Sequence, residues 1–450
     1  MRTILIPHTA DASSARIWIG VTEADSPPAD IPITLSNGMT LVAAAANWKA
    51  VTAGGELTAA ESRTYCQVVE FAGLSARSRL VATANEARAN LTTLPSALPR
   101  PGERPFTVLL GSCYFGNNDR GLSSLMSSLL REVQPDMKVL CGDQLYLDFP
   151  SLVFGVPFNA KGKARLFLSK YLRNWGEPSS YRSLLQESAT YFSSDDHEFW
   201  NNYPNAATIV APTWTAGGRA EWKRVARPLF DDFQNDVSAG PPICRKFRVG
   251  TLSFMIADTR LDREEGGGRF MKDADLQQVE QWARSLAGPG ILVVGQPLFQ
   301  DPQKGFIGSI TKRFGDRNLP DFDQYTRLVQ ALLDAPHSIL VLTGDVHFPR
   351  VAQAIRPGQP GREITEVIAS PAALVAGLHS STKTTPARFP SQPIVPLPVP
   401  VTTVDGSRHA GDNLVTMGFS ETPGSIDVEL KYWYIGESQP NSPVISFSLT

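Results

Sequence analysis

Two distant apolar runs in this chain end in the same way. Val139-Leu140-Cys141 leads into Gly142-Asp143, with Tyr146 and Asp148 close behind; Ile339-Leu340-Val341-Leu342-Thr343 leads into Gly344-Asp345, followed by His347. Each reads as a buried strand that delivers a carboxylate to its carboxyl end, where open α/β sheets build their sites. Further ligand-type side chains follow other strand-like runs: Cys113 after Gly111-Ser112, then Asp195-Asp196-His197-Glu198, then Asn201-Asn202. Carboxylates and amides are hard oxygen ligands suited to Ca, Mg or Mn, whereas thiolate, phenolate and imidazole suit Fe(III) or Zn. A mixed set of this kind suits two unlike ions bridged by one carboxylate. Such a pair clamps a phosphate ester and turns water into a nucleophile at neutral pH. Asp143, at the end of a central strand, is the bridging candidate.

Each motif also has a plainer reading. A lone Gly-Asp at a strand end is usually a turn, and a lone Cys in a strand is usually core, which is the reading taken for Cys141 and Cys244. Asp258-Thr259-Arg260 reads equally as an ion pair at a sheet edge. Repetition favours chemistry, because all these residues follow strand-like runs in one part of the chain. Of the six histidines, only His197 and His347 sit beside acids in such places. A nucleophilic Cys113 is disfavoured, since a phosphate-cradling loop needs an arginine close behind the cysteine and Arg120 lies two positions beyond the usual offset.

The elements that must position these residues fall into two textures. Residues 1–98 lack helical periodicity. Ala15–Val21, Tyr65–Phe71 and Arg79–Ala84 alternate with period two, and Asn37-Gly38 and Gly54-Gly55 mark turns, so a small β-sandwich is expected. Residues 96–105 hold several prolines and read as a stiff linker. From Phe106 on, strands at 106–110, 252–257, 291–294 and 366–370 join the two Gly-Asp strands. Helices are expected at 122–132, 160–192, 273–286 and 321–334, giving β-α-β units. Two alternating strands, 414–419 and 426–434, suggest a terminal hairpin, and 444–448 is also strand-like. The proline-rich 385–401 stretch is excluded from any central strand or helix and reads as a covering loop or lid.

Composition narrows the functional class. The chain has 450 residues, a formal charge of −2 and 42% hydrophobic residues. No basic balance argues for nucleic acid, and no apolar run approaches the roughly 18 residues of a membrane span. The first residues lack a signal-peptide core, so a cytoplasmic location is expected. Four scattered cysteines without a Cys-x-x-Cys pair read as free thiols.

The ordered set of motifs resembles the PhoD-like alkaline phosphatases and phosphodiesterases of the calcineurin-like metallophosphoesterase superfamily. The resemblance runs through the N-terminal β-sandwich, Gly111-Ser112-Cys113, Gly142-Asp143 to Asp148, Asp195 to Glu198, Asn201-Asn202 and Asp258-Thr259-Arg260. The helix from Gln277-Gln278 to Trp282 and Gly344-Asp345-Val346-His347 complete it. It implies an α+β / α/β protein: an Ig- or fibronectin-like β-sandwich (1–98), then a four-layer α/β/β/α catalytic domain (106–450). It implies hydrolysis of phosphate mono- or diesters by a metal-bound hydroxide. The implied ligands are Cys113, Tyr146 and His347 for Fe(III); Asp143 as bridge; and Asn202, Asp345 and Asp196 on a Ca(II) side, with Mn or Zn as other occupants. His197 is implied to contact the phosphoryl oxygen or protonate the leaving group, and Arg260 to neutralise phosphate charge. The alternatives are a phospholipase D-like phosphodiesterase and a non-catalytic, metal-stabilised binding protein. The chain departs from relatives in showing no twin-arginine leader, and in ending on a strand where some members carry a covering helix.

Overall fold

A computed structural model describes residues 1–119, 121–149, 155–177, 180–235, 244–302, 317–355, 361–373, 385–390, 399–406, 411–435 and 444–450. The protein is a mixed α+β structure with four sheets. Residues 2–92 form two four-stranded antiparallel sheets. One runs Arg2–Ala10, Ser14–Thr22, Tyr65–Ala72, Lys49–Ala50; the other runs Thr40–Ala43, Ile31–Leu35, Arg79–Ala84, Ala87–Thr92. Ile31–Leu35 shows why these residues become strand: Ile31, Ile33 and Leu35 are buried while Pro32 and Thr34 face solvent, so one face alone joins the core. The first strand carries no such alternation and was not legible as a strand. It is buried almost throughout, with Ala10 held by the Tyr191 hydroxyl (Tyr191 Oη to Ala10 O, 2.6 Å) and His8 edge-on to Phe192 at 5.8 Å.

The remaining chain builds two larger sheets. The six-stranded sheet runs Ala189–Ser193, Met137–Cys141, Phe106–Gly111, Asn413–Thr422, Ser425–Tyr434, Ile445–Leu449. Its first three strands are parallel and the last three form antiparallel pairs. The eight-stranded sheet runs Cys244–Val249, Leu252–Ala257, Gly290–Val293, Ile339–Thr343, Ile364–Ile368, Arg350–Ala354, Val399–Gly406, Arg388–Phe389. Four of these, from Leu252–Ala257 to Ile364–Ile368, are parallel. The parallel strands are buried on both faces, as their continuous apolar runs require.

Side-chain alternation assigns each face of these sheets. Val108, Leu110, Val139, Ile256, Ile291, Val293, Leu340 and Leu342 share one core with Val415 and Met417. Leu109, Leu140, Met255, Leu292 and Val341 point the other way, into a core shared with helical Leu125, Leu129, Val279, Trp282 and Leu328. Aromatic rings bridge the two sheets: Tyr191 stacks on Phe247 (4.5 Å), Phe247 on Phe254 (4.6 Å), and Phe254 meets Phe106 edge-on (6.4 Å). Fully burying such a ring stabilises the fold by roughly 1.5–3 kcal/mol relative to leaving it exposed.

The helices at Leu122–Glu132 and Asp273–Arg284 lie where the sequence put them, and the 321–334 expectation narrows to Tyr325–Leu333. The 160–192 expectation is corrected. Helix covers Ala160–Tyr171, widens to π geometry over Leu172–Gly176, and resumes at Ser180–Leu185, but Ala189–Ser193 is an edge strand parallel to Met137–Cys141. Its Thr-Tyr-Phe content suits a pleated, half-buried surface better than a helix. Ala216–Phe233 was missed, because Gly217-Gly218 and Pro228 look like breakers. Thr215 caps it (Gly218 N to Oγ1, 3.1 Å), and Trp222, Val225, Ala226, Leu229, Phe230 and Phe233 form its buried stripe. Of the proline-rich stretch, 391–398 lies outside the described residues, and Arg388–Phe389 is an edge strand. The exclusion from a central strand is corrected at the far end, where 399–401 open the strand Val399–Gly406, which lies between Arg350–Ala354 and Arg388–Phe389. Pro400 stands near its start, paired with the edge strand. Arg120 also lies outside them. Among the described residues, no helix is long and apolar enough to cross a membrane. All four cysteines are free and buried.

Candidate metal centre

The central strands of the two large sheets end against each other. A Cβ placed on Gly344 would stand 2.4 Å from Ser112 Oγ and 2.9 Å from the Cys141 carbonyl, so only glycine admits this approach. The loops leaving these strands are then sewn together. Cys113 N donates to Gly142 O (3.2 Å), Tyr114 N to Asp143 O (2.7 Å), and Ala373 N to Cys113 O (3.1 Å). Gly142 takes φ +77°, and a Cβ there would lie 2.4 Å from the Asp195 Cβ. Five candidate ligands adopt the left-handed conformation that side chains disfavour: Cys113 (φ 58°), Asp143 (56°), Asn202 (69°), Asp345 (67°) and His347 (55°). Such strain persists only where the surroundings fix it, and it concentrates at functional sites.

These turns gather side chains from both sheets. Three groups of ligand atoms, each with all atoms within 4.8 Å of one another, converge: Cys113, Asp143 and His347; Asp143, Asp196 and His197; and Asp143, Asp195, Asp196 and Asp345. Asp143 belongs to every group. The Cys113 sulfur is 3.5 Å from Asp143 Oδ2 and accepts from Ser370 Oγ at 3.2 Å. Tyr146 packs its ring against His197 at 4.1 Å between centroids. Asn202 joins through its backbone, donating to Asp196 Oδ2 at 2.5 Å. Asp345 Oδ2 accepts from Gln296 Nε2 (3.2 Å), and Gln296 Oε1 accepts from Arg263 Nη2 (2.9 Å).

Two residues quoted only as parts of motifs prove to organise the centre. Glu198 is fully buried and accepts the backbone N–H groups of Asp143 (2.8 Å), Gln144 (2.6 Å) and Asp195 (2.9 Å). Asp148, also fully buried, takes His197 Nδ1 at 2.8 Å and Asn201 N at 3.0 Å. Acid spacing signalled both, but sequence alone does not say which acid in a run turns toward backbone amides. His197 is further fixed from its own main chain, its N–H donating to Asp143 Oδ1 (3.1 Å) and its carbonyl accepting from Leu147 N (3.0 Å).

Arg260, expected to neutralise phosphate charge, is committed to protein groups. Its side chain is fully buried, with Nε 2.5 Å from Asp195 Oδ1 and Nη1 donating to the Tyr203 carbonyl at 2.9 Å. Asp258 serves the same scaffold, accepting from Ser194 N, Arg260 N and Leu261 N. A guanidinium held in this way steadies Asp195.

The electrostatics test whether the residues fit a cation. Burial, reinforced by Asp143, pushes the Cys113 thiol well above its ordinary range. Burial also raises the Asp143 carboxyl, with Asp196, Asp195 and Glu198 adding repulsion that His197 only partly offsets. The Tyr146 phenol is raised by burial and by Cys113 and Asp143. Burial alone would lower the His197 imidazole, but Asp148, Asp196 and Asp143 outweigh it and hold the ring's pKa well above the usual value. Acidic groups packed this tightly disfavour their own ionised forms unless positive charge joins them. Two buried atoms at the centre, the Tyr146 hydroxyl and Asp195 Oδ2, also have no hydrogen-bond partner among the described residues. A buried polar atom left so is costly, and coordination of a cation would satisfy it. The donor set and its orphaned oxygens fit a metal centre.

No protein-family model matches the sequence, and no curated protein matches it at a significant level.

Proposed function

We propose that this protein is a metal-dependent phosphoesterase that hydrolyses phosphate mono- or diesters, with a PhoD-like catalytic unit (106–450) behind a β-sandwich (1–98). The observation that carries the reading is Asp143, a strained, buried carboxylate common to three convergent ligand groups. The two sheets that share one core, with helices on their other faces, support the four-layer α/β/β/α expectation. Cys113, Tyr146 and His347 make the softer side, suited to Fe(III) or Zn. Asp196, Asn202 and Asp345 make the harder side, suited to Ca(II) or Mn, with Asp143 between them. Bound cations would supply positive charge for the phosphoryl oxygens and acidify water for attack.

The chain's own residues do the rest. His197 commits Nδ1 to Asp148, which leaves Nε2 as the ring nitrogen that serves the leaving oxygen, holding a proton until the ester bond breaks. Asp148 fixes the tautomer and favours the protonated ring. Glu198 sets the backbone from which Asp143 projects, and Gln296, backed by Arg263, turns Asp345 inward.

Elemental analysis of the purified protein, paired with hydrolysis of 4-nitrophenyl phosphate and bis(4-nitrophenyl) phosphate, tests this. Bound iron with calcium-dependent turnover, both lost in Asp143→Ala, is the expected result. No bound metal and no turnover after adding Fe, Ca, Mn or Zn would overturn it. Metal that raises the melting temperature without hydrolysis of either ester would favour the non-catalytic, metal-stabilised reading.

A further inference from the structure

Two serine hydroxyls stand beside the Cys113 sulfur, Ser112 Oγ at 3.4 Å and Ser370 Oγ at 3.2 Å, and all three side chains are buried. A hydroxyl has one proton to give and two lone pairs to receive with, so its other partners decide what it can do. Ser112 Oγ lies 2.8 Å from the Ala369 carbonyl, a nearer and stronger acceptor than sulfur, so its proton goes there. Ser370 Oγ receives the backbone N–H of His347 at 3.2 Å, a group that can only donate. Among the described residues, the Cys113 sulfur is then the acceptor that remains for the Ser370 proton. Of the two hydroxyls, Ser370 alone can give a hydrogen bond to a ligating thiolate.

The backbone holds Ser370 in that place from both sides. It follows the strand Ile364–Ile368, the parallel neighbour of Ile339–Thr343, whose end carries Asp345 and His347. Ala369 N extends this pairing by donating to Thr343 O at 3.2 Å. Beyond Ser370 the chain lies along the Cys113 loop, with Ala372 N donating to Ser112 O and Phe115 N to Ala373 O, both at 2.8 Å. The buried Asn413 pins the Ser370 carbonyl through Nδ2 at 3.0 Å. One strand end therefore reaches two candidate ligand loops, and a single hydroxyl touches both.

We propose that Ser370 is a positioning residue for the softer side of the centre: its hydroxyl donates to the Cys113 sulfur and accepts the His347 N–H, holding thiolate and imidazole loops in register around one ion. The inference rests on the metal-centre reading and adds to it a support that lies outside the ligand set. A hydrogen bond to an ionised acceptor is roughly twice as strong as one between neutral groups, so this bond gains most when Cys113 ligates as thiolate. A donor on a ligating sulfur also draws charge from it, which tunes the metal as well as its affinity.

Co(II) serves as the probe, because its thiolate-to-metal charge-transfer band in the near ultraviolet reports the sulfur directly. Titrated into the full-length protein after chelation, Co(II) is expected to raise this band in the parent and not in Cys113→Ser. In Ser370→Ala the sulfur keeps more of its charge. The band is expected to move to longer wavelength, and Co(II) to bind at least about tenfold weaker. Ser112→Ala, whose lost proton pointed at Ala369, is expected to leave the band where it is. A second measurement needs no substitution: in the Fe(III)-loaded parent, the iron–sulfur stretch in the resonance Raman spectrum is expected to shift after exchange into D2O, as O–D replaces O–H against the sulfur. A Ser370→Ala band at the parent position, parent affinity in that variant, or an equal shift in Ser112→Ala overturns the assignment, as does an iron–sulfur stretch identical in H2O and D2O. No thiolate band in the parent, or one that survives Cys113→Ser, overturns the metal-centre reading itself, a distinct result.

Discussion

Glu198→Gln tests the architecture of the centre without touching any candidate ligand. In the parent protein, Glu198 Oε2 accepts two backbone N–H groups, from Asp143 and Asp195, and Oε1 accepts one, from Gln144. A glutamine has one acceptor oxygen. Its better rotamer keeps the oxygen on the Asp143 and Asp195 amides and turns its NH2 toward the Gln144 N–H, leaving two donors opposed in a fully buried place. A buried donor stranded in this way costs about 1–3 kcal/mol, and the two remaining bonds fall from charge-assisted to neutral strength, each losing about 1 kcal/mol. A total near 3–5 kcal/mol is a large share of the roughly 5–15 kcal/mol that holds a folded protein. The loss falls on the turn where Asp143 is held at φ 56°, so its carboxylate should lose its aim as well. Urea unfolding followed by fluorescence reads the stability, and calorimetric titration with Fe, Ca, Mn or Zn reads the site. The expected outcome is an earlier unfolding midpoint together with at least about tenfold weaker metal binding, a loss of the size seen when groups supporting metal ligands are removed. A variant with unchanged midpoint and unchanged metal affinity would refute the claim that Glu198 organises the centre.

Two further substitutions probe the frame. Gly344→Ala forces a methyl against the Ser112 side chain at its Oγ and Cβ and against the Cys141 carbonyl, which is backbone. Overpacking of this kind costs about 1–3 kcal/mol and should separate the two strand ends, so both the urea midpoint and metal affinity should fall; retention of both would show that the approach is slack. Lys138 is fully buried on the Met137–Cys141 strand, its Nζ donating to the carbonyls of Leu185 (3.3 Å) and Ser188 (2.9 Å), and burial pulls its pKa down to about 7. Above pH 7 the unfolded chain therefore binds more protons than the folded one at this residue, and stability from this group rises as pH climbs from about 7 toward the ordinary lysine value near 10.4. The neighbouring Glu187, raised first by burial, acts in the opposite sense on the acid side, between its ordinary carboxylate value and its raised folded one. Lys138→Met should flatten the rise in unfolding free energy measured between pH 7 and 9; an identical slope in both proteins would place the charge elsewhere.

How much of this was legible depended on what kind of order each residue obeys. Strand ends carrying Gly-Asp were readable because a buried parallel strand must be apolar and must stop where a carboxylate appears, as at Cys141 and Thr343. The helix Leu122–Glu132 was readable from its period, with Leu122, Leu125, Met126 and Leu129 buried on one face. Ala216–Phe233 was not, because its diglycine start and internal proline are local signals that the tertiary packing of Trp222 and Phe230 overrides. The edge strand Ala189–Ser193 was absorbed into a helix because five residues are too few for period two to outvote the helical pattern before them. Candidate ligands were legible by type; their supports were not. Arg260 follows an acid in sequence yet turns to Asp195 from a different strand, and only the assembled sheets reveal that choice.

The same distinction bears on how such a centre can be assembled at all. None of its turns is comfortable alone: five ligand-type residues sit in the left-handed region, and three buried acidic groups are driven toward their neutral forms by one another and by burial. The compensations come from outside the ligand set. Glu198 satisfies three amides, Arg260 and Asp195 pair across strands, and Asp148 and His197 balance one charge against the other. Each compensating residue joins segments that are distant along the chain, so the centre takes shape only when the sheets dock. On the proposed reading, metal affinity and sheet docking would be one equilibrium seen from two ends, and a cation that binds the folded form alone would stabilise the whole assembly by mass action.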